Sequence, residues 1–233
     1  MKKIIELQSK EEFEQYIGNK VLKYIDDGSE GECFLGNDGL AYKIFFDEPF
    51  INDHALIEID DIITESEYKL DSFAFPRVIF TIDDVVKCYT SKYVNSNLFG
   101  YKSKEAAEQL LEHIKSKEFI TAYNKFLEDL EVLTSNKIKL FDLCNNLLYD
   151  GEKMVAIDTI YYKKETEADV EILRDFNLRQ FRTALVEVFS FALRICDKEF
   201  DIEFDEDTPI EEFVEDVLIR YDGEEALLRK IFG

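Results

Sequence analysis

The sequence predicts an α+β fold, with an antiparallel sheet in the first part of the chain and mainly helices in the second. Three observations carry that expectation. Short runs rich in β-branched and aromatic residues, separated by glycines and an Asn37-Asp38-Gly39 turn, fill residues 20–46. Apolar residues recur at three- and four-residue spacing along 119–133 and again along 178–195, as on one face of a helix. Of the 233 residues, 46% are hydrophobic, which is enough to bury a real core in one two-lobed domain or two small ones.

The elements follow in order. Ser9 with Glu12 forms a capping box that opens a short first helix. Strands are expected near 20–26, 31–36 and 40–46, the first turn carrying Gly28 and Gly31. Residues 57–70 have helical spacing through Ile59, Ile62 or Ile63, and Leu70. Residues 77–81 and 85–93 read as a hairpin joined by Asp83-Asp84. Ser103 caps a helix running to about residue 116. Phe119, Tyr123, Phe126, Leu127, Leu130 and Leu133 then form one helical stripe, read as core. Two apolar runs around Asp150-Gly151 make a second hairpin, and a long buried helix carries Leu178, Phe181, Leu185, Val188, Phe189, Ala192 and Ile195. Thr208-Pro209-Ile210-Glu211 reads as a helix start, with the proline at the first helical position, and a last helix is expected over 224–232. No internal repeat, low-complexity segment or long linker interrupts the chain.

Two segments carry candidate chemistry. In Tyr24-Ile25-Asp26-Asp27-Gly28-Ser29-Glu30-Gly31, followed by Ala41-Tyr42-Lys43, a flexible turn faces one lysine. Glycines let the backbone approach phosphates and the lysine supplies a point charge, which suits a nucleoside triphosphate. The same residues also suit an ordinary β-hairpin with a solvated lysine. In the second segment, Asp142-Leu143-Cys144-Asn145-Asn146 leads into the hairpin that ends at Asp158. Asn146 and Asp158 offer the oxygen ligands that a magnesium-type cation takes, and Asp142 lies where an attacking hydroxyl needs a base. The alternative is a hairpin whose Asp and Asn residues only serve turns.

In this order the two segments resemble the protein-kinase-like superfamily, and small, divergent bacterial members in particular. The residues that carry the resemblance are the glycine loop, Lys43 in Ala41-Tyr42-Lys43, Asp142-Leu143-Cys144-Asn145-Asn146 and Ala156-Ile157-Asp158-Thr159, spread over about residues 20–200. Departures are equally visible. Asp26 replaces the first loop glycine, no His-Arg pair precedes Asp142, and Asp158-Thr159-Ile160 stands where the family has Asp-Phe-Gly. The acid-to-asparagine spacing is one residue short, and no Ala-Pro-Glu follows.

The resemblance implies a two-lobed fold, with an N-lobe over 1–95 and a helical C-lobe over 96–233, and a cleft lined by Lys43, Asn146 and Asp158. It implies ATP bound under Gly28, Ser29 and Gly31, with Lys43 on the phosphates and Tyr93-Val94 as a hinge whose backbone reads the adenine. It implies Glu65 as the acid that holds Lys43, with Glu67 as second choice. Magnesium would be bound by Asn146 and Asp158, and Asp142 would orient the acceptor hydroxyl of a protein or small molecule. The alternative function is a pseudokinase that binds nucleotide or a protein partner without turnover. A third is an acidic interaction domain with no nucleotide.

Composition excludes other classes. A formal charge of −23 argues against nucleic-acid or anionic-membrane partners, which recruit Lys and Arg. Cys33, Cys88, Cys144 and Cys196 form no paired motif and read as thiols in a reducing compartment. His54 and His113 have no partner at ligand spacing, against a zinc site. No signal peptide or membrane span is expected, which points to the cytoplasm.

Overall fold

The computed structural model describes residues 2–46, 58–95 and 97–223. The fold is α+β, with a six-stranded mixed sheet and, among the described residues, five α-helices. The chain divides into two units, Met1–Tyr93 with Asp158–Lys164, and Val94–Ile157 with Glu165–Gly233. Asp158–Lys164 groups with the first unit although it lies far along the chain, a return that no linear division of the sequence expresses.

In the first unit, β1 (Ile4–Leu7) precedes α1 (Lys10–Gly18), and β2 (Val21–Asp27), β3 (Gly31–Gly36), β4 (Leu40–Phe45), β5 (Val78–Ile82) and β6 (Val85–Lys92) complete the sheet. The strand order is β1-β5-β6-β4-β3-β2. Hairpin neighbours pair antiparallel because their turns are short, and β4 pairs antiparallel with β6. The sheet is nevertheless mixed, not purely antiparallel as expected, because β1 runs parallel to β5 in the register Ile4↔Ile79 to Leu7↔Ile82. Four residues with an exposed Ile4 give little local strand signal.

Alternation along the strands sorts side chains to two faces. Tyr42, Phe80 and Cys88 pack with Leu7 and with Ile17 of α1 on one face. Ile79, Val86 and Tyr89 pack with Ile62 and Ile160 on the other. Each fully buried large apolar side chain of this kind contributes roughly 1.5–3 kcal/mol. Helix α1 starts as its sequence dictates: Ser9 Oγ accepts from Glu12 N–H at 3.2 Å. The Glu12 carboxylate turns back to the Gln8 N–H at 2.7 Å, one residue before the donor a strict capping box uses.

The helix expected over 57–70 is corrected. Residue 57 lies outside the described residues; beyond it there is only a 3₁₀ turn, Ile59–Asp61, followed by extended and turn backbone. Ile62, Ile63 and Thr64 are buried in succession. Three β-branched residues in a row are poor helix formers, and an extended chain buries neighbours pointing both ways where a helix would expose one of them.

The second unit holds α2 (Lys104–His113), α3 (Lys117–Ser135), α4 (Val170–Ile195) and α5 (Ile210–Asp222), with a short strand β7 (Ile138–Lys139) and the hairpin of β8 (Leu147–Tyr149) and β9 (Met154–Ala156). Ser103, Ser116 and Asp169 cap α2, α3 and α4 by accepting from first-turn N–H groups. The periodic stripes are core at most of the positions read from the sequence, while Leu127, Leu178, Val188 and Ile195 are half-buried. Phe126 of α3 stacks on Phe181 of α4 with centroids 4.2 Å apart, and Phe189 meets Phe119 and Phe213 edge-on. At α5, Pro209 occupies the cap itself, not the first helical position, and no side-chain cap bond forms there. The expected helix over 224–232 lies outside the described residues. Among the described residues, no helix is long and apolar enough to cross a membrane.

Candidate functional site

The sheet register brings Lys43 to its partners. Cys33 of β3 pairs with Lys43 of β4, Lys43 pairs with Tyr89 of β6, and Tyr89 pairs with Ile79 of β5. Directly paired residues share a face, so these four side chains form one row across the sheet. The segment that begins at Asp158 returns over this row. Thr159 Oγ1 donates to Ala74 C=O at 3.2 Å, and Ile160 enters the core beside Tyr89.

Asp158 is thereby held against Lys43. Lys43 Nζ donates to Asp158 Oδ2 at 2.5 Å, and Tyr89 Oη donates to Asp158 Oδ1 at 2.8 Å. Asp158 itself has φ 56°, a left-handed conformation that aspartate tolerates better than most residues. A second carboxylate joins: Lys43 Nζ donates to Glu30 Oε2 at 3.1 Å. Side-chain exposure is 12% for Lys43, 12% for Glu30 and 18% for Asp158, so one ammonium and two acids share a mostly desolvated site. Burial pulls the Lys43 pKa down, but Asp158 and then Glu30 raise it more, leaving it above the usual lysine value. Burial pushes the neighbouring Cys33 thiol up to about 11, against the lowering influence of Lys43, so Cys33 stays protonated at neutral pH. Burial raises the Tyr89 hydroxyl far above its usual value, and Asp158 adds to that.

Other expected residues fall elsewhere. Glu65 does not reach Lys43: its carboxylate binds Arg77, with Arg77 Nη2 donating to Oε1 at 2.7 Å and Arg77 Nε 2.6 Å from Oε2. Glu67 accepts from the N–H and the hydroxyl of Thr64, both at 2.9 Å. Without a helix over 58–70, neither glutamate is carried to the sheet lysine; Glu30 from the glycine turn takes that role. Tyr93 and Val94 lie in irregular chain after β6, where the chain passes from the first unit to the second.

The glycine turn is closed by a single backbone bond. Gly28 N–H donates to Gly31 C=O at 3.0 Å, which leaves only Ser29 and Glu30 at the tip. Gly31 is required by the strand behind it: a Cβ there would stand 2.1 Å from Ile44 O. Gly28 has open space around its missing Cβ.

In the second unit, Asp142 and Asn145 have φ 47° and 67°. Asn146 N–H donates to Leu143 C=O at 3.0 Å, closing a turn at Cys144-Asn145 in which Asn145 sits at the position that favours positive φ. Asn146 Nδ2 donates to the Asp142 carbonyl at 2.8 Å, and its backbone carbonyl accepts from Ile157 N–H at 2.8 Å. The four-residue step from Asp142 to Asn146 is therefore a closed, hydrogen-bonded loop. Asp150 completes the β8–β9 turn by accepting from Glu152 and Lys153 N–H at 2.9 and 2.7 Å.

One residue that holds this loop was not singled out from the sequence. Asn177 of α4 is fully buried. Its Oδ1 accepts from Leu140 N–H at 3.0 Å, and its Nδ2 donates to Thr134 Oγ1 and Ile138 C=O, both at 2.9 Å. It ties α4 to the end of α3 and to the chain entering the Asp142 loop. The available signal was a polar residue four positions after Leu173 and four before Phe181 on a buried stripe. Asn177→Ala would leave three buried polar groups unpaired, and a loss of about 3 kcal/mol is expected from an unmet-bond cost of ~1–3 kcal/mol each. Urea unfolding reads this directly; a loss below about 1 kcal/mol would mean that water replaces the amide.

Among the described residues, no three His, Cys, Asp or Glu side chains form a metal-binding group. The oxygens of Asp158 and Asn146 are of the donor type that magnesium takes, and a phosphate-bound magnesium needs only one or two protein ligands. No protein-family model matches the chain, and comparison with curated proteins returns no match.

Proposed function

We propose that this chain is an atypical, two-lobed kinase-like phosphotransferase that uses Mg-ATP to phosphorylate a hydroxyl on a protein or small molecule. The observation that supports it is the contact of Lys43 with Asp158, 115 residues apart in sequence and 2.5 Å apart in space. The kinase-like reading requires this pair to meet. A plain β-hairpin with a solvated lysine does not.

In this reading the Lys43 ammonium offsets phosphate charge in a site that is already mostly dry. Asp158 and Asn146 would hold magnesium, which would neutralise charge on the phosphates. Asp142 accepts the proton of the acceptor hydroxyl as its oxygen bonds to the γ-phosphorus and the bond to the β-phosphate oxygen breaks. Tyr93 and Val94 offer backbone groups to the base.

A second reading is favoured by a specific observation. Both Asp158 oxygens are already engaged, by Lys43 and by Tyr89. A chain in which that arrangement persists binds a partner or nucleotide without turnover, as a pseudokinase.

Single-turnover transfer of labelled γ-phosphate, with autophosphorylation and ATP hydrolysis included, separates the two. Loss of the general base in Asp142→Asn is expected to slow transfer by roughly 100-fold or more. Asp158→Asn is expected to remove the magnesium-dependent part of ATP binding. Equal transfer rates in wild type and Asp142→Asn, with ATP still bound, move the assignment to the pseudokinase. Absence of any ATP binding removes the phosphotransferase and every nucleotide-binding form of the second reading, and leaves only a partner-binding pseudokinase.

A further inference from the structure

We propose that Glu30 is a built-in phosphate mimic: its carboxylate occupies the anion position on Lys43, and a nucleotide must displace it to bind. The inference rests on the nucleotide reading above and names how that site is regulated.

The geometry is specific. Glu30 sits at the tip of the β2–β3 turn, in the stretch that the nucleotide reading lays over the phosphates. Its backbone is pinned, because its carbonyl accepts from Phe46 N–H at 2.8 Å. Its side chain instead turns inward, with 12% exposure, and places Oε2 3.1 Å from Lys43 Nζ. That is hydrogen-bonding distance for an ammonium and an anionic oxygen, as a phosphate oxygen would need. Tyr161, from the segment that follows Asp158, also hydrogen-bonds the Glu30 side chain.

Charge makes the arrangement exclusive. One ammonium already faces two carboxylates. A triphosphate arriving with Glu30 in place would bring further negative charge to a poorly solvated site, where like charges a few ångströms apart repel strongly. The backbone need not open for Glu30 to leave, since rotation about its side-chain bonds moves the carboxylate away. Glu30 thus keeps Lys43 paired while the site is free, and a nucleotide pays for its own entry by competing with an internal anion.

The opposite role, Glu30 orienting Lys43 for the nucleotide, predicts the opposite sign. Binding of Mg-ATP to the full chain is measured by titration calorimetry for wild type, Glu30→Gln, Glu32→Gln and Lys43→Met. Glu32, exposed and two residues on, removes the same net charge away from Lys43. Glu30→Gln is expected to bind about tenfold tighter or more, Glu32→Gln within about twofold of wild type, and adenosine equally to wild type and Glu30→Gln. Binding detected only in Glu30→Gln also supports the mimic. If Glu30→Gln does not fold, Glu30→Ser removes the charge and keeps a small polar group for Tyr161. Equal or weaker ATP binding in the Glu30 variant, with Lys43-dependent binding in wild type, overturns the mimic and leaves the nucleotide site standing. No binding in either removes the nucleotide reading and the inference with it.

Discussion

Lys43→Met is expected to lower stability by about 3 kcal/mol, at the lower end of the ~3–5 kcal/mol seen when one partner of a buried ion pair is removed. The lower end applies because Glu30 and Asp158 retain 12% and 18% side-chain exposure, so water reaches both. The loss comes from what is left behind: two carboxylates facing each other with no cation between them. Stability by urea unfolding should therefore return in large part when Glu30→Gln and Asp158→Asn are added. A triple variant no more stable than Lys43→Met would show that packing of the lysine stem, not charge, holds the site. The pH dependence has a definite sign. The Lys43 pKa is raised in the folded chain, so its contribution is complete below the unfolded lysine value of ~10.4 and is lost as pH rises through the folded value. The difference between wild type and Lys43→Met is expected to be constant at neutral pH and to shrink in strong alkali.

Gly31→Ala is expected to cost about 3 kcal/mol, the upper part of the range for forcing extra volume into a packed interior. The added Cβ would stand 2.1 Å from Ile44 O, 2.9 Å from Ile44 C and 3.0 Å from Phe45 Cα. All three are backbone atoms, which no side-chain rotation can move aside, so the Gly31↔Phe45 pairing must shift. Gly28→Ala is the companion measurement. It meets nothing within 4 Å, and a change of no more than about 1 kcal/mol is expected, of either sign. Thermal unfolding of the two variants distinguishes a glycine kept for strand packing from one kept for loop freedom. Equal destabilisation in both would mean that the turn as a whole, not the close approach at Gly31, sets the requirement.

Much of the fold was legible because it depends on near neighbours. Ser9 and Ser103 cap helices with side chains that reach only to the third residue on. Asp83 and Asp84 both take positive φ, as a two-residue hairpin turn between β5 and β6 requires. The stripes of α3 and α4 are written in their own periodicity. The stretch 57–70 misled because three- and four-residue spacing also arises by chance among clustered isoleucines. Only burial of Ile62, Ile63 and Thr64 in succession shows that the chain is extended there.

The candidate site divides in the same way. Sequence alone determined that Lys43 stands on a strand behind a glycine turn and that Asp150-Gly151 closes a hairpin leading to Asp158. Each follows from turn chemistry and alternation within about ten residues of chain. Only the tertiary structure decided which acids reach Lys43. Glu65, favoured by resemblance, is taken by Arg77, while Glu30 is delivered by the tight turn and Asp158 by a segment 115 residues away. It also decided that β1 runs parallel to β5 and that Asn177 secures the chain before Asp142. The physical reason is common to the side-chain cases. A charged or polar side chain has several partners of equal chemistry in the sequence, and burial, which depends on the whole packed chain, selects one of them.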